Sequence, residues 1–176
     1  MRSWSHALDR AGQLLFIVMC LVVIAVGVKY LRASGGELTA ERPFVSAGAD
    51  LPGAELFNLE NSNAVVVLAL SSRCRYCTES MPFYRTLLAL PSVADQRLQV
   101  SVGSMDDTST MQAYLGRHGI SVKQVVPLVD AGLRVRSTPT VILANSEGKV
   151  VQSWEGLLDA DKQREVIAEV TRIAAR

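Results

Sequence analysis

The residues able to do chemistry lie in one short segment, Ser71-Ser72-Arg73-Cys74-Arg75-Tyr76-Cys77-Thr78-Glu79-Ser80-Met81-Pro82. Two cysteines stand three positions apart, which places them about one turn apart on a helix. A thiolate is the species that attacks a disulfide, and a second thiol nearby can release the mixed disulfide that results. The pair is therefore a candidate two-electron redox device, with Cys74 as nucleophile and Cys77 as resolving thiol. A zinc site is the other common use of this spacing, but it needs two further ligands. The third cysteine, Cys20, sits in an apolar run, and His6 and His118 are far from the pair in sequence. No metal and no other cofactor is expected. Two inert core cysteines would need no flanking charge, whereas Arg73 and Arg75 bracket Cys74. A helix beginning at Cys74 would lower its pKa through unpaired N–H groups, and the two guanidinium groups are expected to add to that.

These cysteines need elements to hold them. Residues 65–70 (VVVLAL) are a continuous, β-branched apolar run directly before the segment, the pattern of a strand buried on both faces. Further strands are predicted at 98–102, 140–144 and 150–154. Asn145-Ser146-Glu147-Gly148 joins the last two as a hairpin. A short edge strand is predicted at 56–59. One helix is expected to run from Cys74 toward Leu90. A second covers 109–118, with Asp107 or Thr108 as N-cap and Gly119 just past its end. A third covers 160–174, with Val166, Ile167, Val170, Ile173 and Ala174 on one face. Strands and helices alternate and a hairpin closes the sheet, which is an α/β sandwich with a mixed sheet. Pro139 opens the strand at 140–144. Proline donates no ladder hydrogen bond, so it marks a sheet edge or a special turn there.

The rest of the chain bounds the setting. With 18 basic and 17 acidic side chains in 176 residues, the net charge is +1, so a nucleic-acid partner is not expected. The apolar fraction of 49% excludes a disordered chain. Leu14 to Val28 carries no polar side chain, and within residues 11–31 only Gln13 and Lys29 are polar. As a helix that stretch would be roughly 32 Å long, enough to cross a bilayer. A cleaved signal peptide fits less well, because Lys29 and Arg32 follow the core directly. A lipoprotein cut before Cys20 would need a small residue where Met19 stands. The division expected is a tail at 1–10, a transmembrane anchor at 11–31, a Gly/Pro-punctuated linker at 32–49 and one domain at 50–176. Arg2 and Arg10 precede the run and Lys29, Arg32 and Arg42 follow it, so the charge bias does not fix the orientation.

Taken together, the C-x-x-C after a buried strand and the Thr138-Pro139-Thr140 before another resemble the thioredoxin fold. More narrowly, the chain resembles the membrane-anchored thiol–disulfide oxidoreductases of the TlpA/ResA kind. The resemblance rests also on Asp50-Leu-Pro-Gly53, on Pro82 five residues after Cys77, and on the hairpin turn Glu147-Gly-Lys-Val-Val151. It implies a cis Thr138–Pro139 bond packed beside the active cysteines, with the Thr138 backbone open to a substrate strand. Catalytic residues would be Cys74, Cys77 and Pro139, and substrate contacts would come from Thr138, Tyr76 and Arg75. It further implies a reductase on the outer side of the cytoplasmic membrane, facing the periplasm or the exterior. Such a reductase acts on disulfides in proteins or small molecules, cytochrome c maturation among them, and is recharged by a membrane thiol protein. An oxidase or isomerase, or a non-catalytic binding or relay module, is the alternative. Three positions depart from the relatives: Arg73 replaces a common Trp, Leu68 stands where thioredoxins bury an acid, and Ser80 stands where TlpA/ResA-type proteins often have Glu. The proton acceptor for Cys77 is therefore unassigned: Glu79, one place earlier, is a candidate, the alternative being a solvated side chain on an exposed helix face.

Overall fold

In the computed structural model, the described residues are 19, 20, 23, 44–57, 59 and 62–176. The chain divides into two units, Met1–Glu41 and Arg42–Arg176. In the first, Met19, Cys20 and Val23 are helical and exposed. The anchor expected at 11–31 otherwise lies outside the described residues, as do the tail and most of the linker. Among the described residues no helix is long and apolar enough to cross a membrane.

The second unit is built on five strands: β1 (Ala64–Leu70), β2 (Leu98–Ser104), β3 (Val125–Pro127), β4 (Thr140–Asn145) and β5 (Val150–Glu155). Their order in the sheet is β3-β2-β1-β4-β5. β1 runs parallel to β2 and antiparallel to β4, and the β4–β5 hairpin forms one edge. β1 is central and every residue in it is buried, as its unbroken apolar run requires. Val66, Leu68 and Leu70 face one layer and Val65, Val67 and Ala69 face the other, the alternation of a pleated strand. Five helices follow in order: α1 (Arg75–Glu79), α2 (Met81–Leu88), α3 (Pro91–Ala94), α4 (Thr108–Arg117) and α5 (Ala160–Ala174). Residues of α2, α4 and α5, among them Tyr84, Leu87, Met111, Leu115, Val166 and Val170, fill the first layer. The second is covered by Phe57, by Leu51 of an N-terminal strap, and by Leu128, Ala131 and Leu133 after β3.

β1, β2, the β4–β5 hairpin, α4 and α5 match the pattern read from the sequence. Asp107 caps α4, accepting the Thr110 N–H at 2.8 Å, and Gly119 follows it with φ 67°. Two expectations fail. Residues 56–59 are not an edge strand; Ala54–Phe57 is a 3-10 turn. Gly53, at φ 65°, reverses the chain, and its carbonyl accepts the Leu56 N–H at 2.8 Å, an i→i+3 bond. The edge beside β5 is taken instead by the strap. Gly48 N–H donates to Val150, Val150 N–H to Ala49, and Leu51 N–H to Gly148, at 2.7–2.9 Å. The helix expected from Cys74 toward Leu90 is also broken, at Ser80. Pro82 has no N–H to give the Thr78 carbonyl and its ring would crowd it, so α1 stops and α2 restarts. β3 and α3 lie in stretches to which no element was assigned from sequence.

Gly53 and Gly116 should respond to alanine with opposite signs. A Cβ on Gly53 would lie 2.7 Å from the Ala131 backbone, at a φ that L residues avoid. Gly53→Ala should cost about 1–3 kcal/mol. Gly116 is an exposed position in α4 with nothing within 4 Å of its added carbon, so Gly116→Ala should stabilise by about 0.5–1 kcal/mol. Urea unfolding of the two variants checks both.

Candidate active site

β1 delivers the chain to the site. After Leu70 the backbone turns, with Cys74 N–H donating to the Ser71 carbonyl at 3.1 Å, and Cys74 becomes the N-cap of α1. Both cysteines are free thiols; Cys74 is half-buried and Cys77 is fully buried. The sulfur of Cys74 lies 3.1 Å from the Thr138 carbonyl oxygen, to which the thiol donates. The Thr138–Pro139 bond is cis, as the resemblance implied, and Pro139 is buried. Two loops 64 residues apart in sequence thus meet at the reactive sulfur. The expectation of an open Thr138 backbone is modified: while Cys74 keeps its proton, the carbonyl is occupied.

The two thiols are tuned in opposite directions. Partial burial pushes the Cys74 pKa up, but hydrogen bonds from the Thr138 side chain, from Cys77, and from the N–H groups of Cys77 and Tyr76 outweigh it, and the net shift is downward. Burial pushes Cys77 up to about 12, with the neighbouring Cys74 adding to the rise. The half-buried sulfur is therefore the more readily ionised of the two, and the deeper one holds its proton more firmly.

The arginine bracket is real in sequence, but the side chains turn elsewhere. Arg75 Nε pairs with Glu79 Oε1 at 2.6 Å on the open face of α1, and Arg73 Nε lies 3.9 Å from Asp106 Oδ1. Both guanidinium groups are almost wholly exposed, so solvent screens them. The hydrogen bonds from Thr138 and from the helix start, rather than these cations, hold Cys74 low. Glu79, the candidate proton acceptor for Cys77, is paired with Arg75 on the exposed face of α1. Tyr76 projects into solvent, 54% exposed, between the two cysteines. Leu68 is buried in the sheet, so the position where thioredoxins carry an acid is apolar here.

Sequence reasoning missed two residues. Asp106, in the turn just after β2, accepts the Ser72 N–H at 2.6 Å and is nearly buried, so it fixes the loop that carries Cys74. Nothing in its sequence neighbourhood signals this, because the contact spans 34 residues. Ser80 is buried and donates to the Tyr76 carbonyl at 2.8 Å, closing the turn between the two helices. Among the described residues no cluster of His, Cys, Asp or Glu could hold a metal ion.

A parallel β1–β2 pair, a β4–β5 hairpin, a dithiol at a helix start after the central strand and a cis proline opposite it define a thioredoxin-fold protein with a redox-competent pair. The chain belongs to the thioredoxin-like domain family, whose model matches residues 54–171. No curated protein matches the chain. Among solved structures, a candidate protein disulfide isomerase from Bacteroides thetaiotaomicron is similar, with TM-score 0.62 and 18% identity over 75% of this chain and 92% of that one. The thioredoxin domain of a thiol-disulfide oxidoreductase from Bacteroides vulgatus matches with TM-score 0.54 and 15% identity, over 71% and 97%. A candidate thiol:disulfide interchange protein DsbE from Chlorobium tepidum matches with TM-score 0.53 and 22% identity, over 75% and 97%. At these identities the likeness is one of fold.

The opposed thiols predict a particular pH dependence of stability in the reduced protein. Below pH 9.0, the ordinary thiol value, Cys77 is protonated folded and unfolded, and it contributes no slope. Between pH 9 and about 12 the unfolded chain has lost that proton and the folded one has kept it. Stability should therefore fall with rising pH there, by up to about 1.4 kcal/mol per pH unit. Cys74 works the other way, adding stability above its own lowered pKa. Urea melts of reduced wild type and Cys77→Ala at pH 8, 9 and 10 check this: the fall should be shallower in the variant. The Arg73→Ala/Arg75→Ala double variant should leave the pH midpoint of Cys74 alkylation within about half a unit of wild type.

Proposed function

We propose that the protein is a thiol–disulfide oxidoreductase that is anchored by residues 11–31, with its domain outside the cytoplasmic membrane, and that reduces disulfides in partner proteins. The observation that carries it is the Cys74 sulfur itself: half-exposed, lowered in pKa, and facing the cis-proline loop with a buried thiol behind it. Cys74 thiolate attacks one sulfur of the target disulfide, forming a mixed disulfide and expelling the other sulfur as a thiolate. Cys77 then gives up its proton and attacks Cys74, releasing the second target sulfur. Two electrons pass to the target, its two sulfurs take up protons, and the protein is left with a Cys74–Cys77 disulfide. A membrane thiol protein then restores the dithiol. The bilayer contact would be made by Leu14 to Val28, and the outer face of the membrane is where disulfides persist for such a protein to act on.

One observation favours the opposite direction of flow. The hydrogen bonds that stabilise Cys74 thiolate stabilise the reduced form, and that raises the potential toward an oxidant or isomerase. Equilibration of the full-length protein with redox buffers decides. A potential near about −270 mV supports a reductase, and one near about −120 mV an oxidase.

The roles are separable by mutation. Cys77→Ser should accumulate a mixed disulfide through Cys74, while Cys74→Ser should form none and turn over nothing. Non-reducing gels after incubation with a disulfide protein check this. A C-terminal alkaline phosphatase fusion should be active in cells. A fluorescent C-terminal fusion with no phosphatase counterpart activity would put the domain inside and overturn the placement.

A further inference from the structure

The helix that carries the buried thiol has little of its own to hold it. α1 is five residues long, and a helix that short does not stand alone in water. Arg75, Tyr76, Thr78 and Glu79 are exposed, so Cys77 is the one buried side chain in α1. That side chain is also the one whose sulfur changes partners in each redox cycle. A side-chain fastening independent of the redox state has to come from another residue.

Thr78 supplies it. Its hydroxyl lies 2.9 Å from the Tyr114 hydroxyl of α4, a contact across 36 residues of sequence in which either oxygen can donate. Tyr114 is itself firmly held. It is 3% exposed, it shares α4 with the buried Met111 and Leu115, and its ring meets the His118 ring edge-on at 4.8 Å. The same unit grips the other end of the segment, since Asp106, in the turn leading into α4, accepts the Ser72 N–H at 2.6 Å. The dithiol therefore lies between two fastenings, one ahead of Cys74 and one behind Cys77. The second secures the helix whose Tyr76 and Cys77 N–H groups bond to the Cys74 sulfur.

We propose that Tyr114 is a positioning residue of the dithiol: through Thr78, its hydroxyl holds α1 so that the Tyr76 and Cys77 N–H groups stay aimed at the Cys74 sulfur. The inference rests on the reading of Cys74 as the nucleophile and deepens it.

The test reads the pH midpoint of Cys74 alkylation in the reduced full-length protein, from the mass of the labelled Cys74 peptide. Tyr114→Phe and Thr78→Val each remove one hydroxyl of the pair and alter no charge. Burial holds the Tyr84 and Tyr114 phenols and the Cys77 thiol above their usual ranges, so all three stay neutral while Cys74 titrates. The pairs Arg73–Asp106 and Arg75–Glu79 are common to every variant. Each single variant should raise the midpoint by about half a unit, roughly a threefold loss of thiolate below it. The double variant should go no further, because both changes remove the same bond. Thr78→Ser keeps the hydroxyl and should keep the wild-type midpoint. A shift in one single variant without the other, or shifts that add, would mean that the hydroxyls do not act through their mutual bond, and overturn the proposal. Midpoints unmoved or lowered in both, whatever the urea stability, assign the bond to packing alone and overturn it too. The midpoint is read whether or not the protein turns over, so a wild type that reduces no peptide disulfide overturns the reductase reading alone.

Discussion

The 3.1 Å approach of the Cys74 sulfur to the Thr138 carbonyl is the contact around which the domain is arranged. It requires β1 to end where β4 begins, and the sheet provides this: Ala69 of β1 lies opposite Thr140 of β4. It also requires the loop after β1 to hold its shape, which Asp106 supplies from β2 on the other side. The central strand is paired on both edges by the elements that carry the two supports of the site. A change in the register of either pairing would move the sulfur away from its partners, so the buried, unbroken apolar character of β1 serves chemistry as well as packing.

Much of this was legible in the sequence, for physical reasons that differ by element. The run at 65–70 could be read because a strand buried on both faces tolerates no polar residue. The hairpin turn and the α4 boundaries could be read because caps and turns use local side chains, such as Asp107, in fixed geometries. The helix break at Ser80 could have been read from Pro82, whose missing N–H acts four residues upstream. The 3-10 turn at Ala54–Phe57 could not, since apolar Leu56, Phe57 and Leu59 fit a strand equally well until the strap is known to occupy the β5 edge. Asp106 was opaque for a different reason. Its role exists only when the β2 end is laid beside the β1 end. The arginines misled because sequence shows proximity along the chain, not direction: both flank Cys74 and both lean toward carboxylates elsewhere.

The two layers of the domain are unequal. Three helices close one side of the sheet, whereas the other is closed by Phe57, the strap and the run after β3. Irregular cover of this kind leaves room between segments, and a groove of about 630 Å³ opens where the run after β3 faces the β2–α4 turn. Ser101, buried on this side of β2, has a hydroxyl with no hydrogen-bond partner, a polar atom enclosed by an apolar layer. The helical side supplies rigidity to Cys77 through Met81 and Tyr84, while the irregular side supplies surface.

The strap has a mechanical meaning. Any pull arriving along the chain from residue 43 meets the folded unit at Phe44, whose ring lies under the guanidinium groups of Arg134 and Arg136. Behind it stand the Val45–Arg134 hydrogen bond, then the Gly48–Val150 and Leu51–Gly148 bonds and the Asp50–Lys149 ion pair. These fastenings follow one another along the strap, ahead of Phe57 and β1, and hold it to the rim of the sheet. The first of them end on Arg134 and Arg136, just ahead of Thr138, so the point where the chain enters the folded unit is tied to the segment that carries the partner of the Cys74 sulfur.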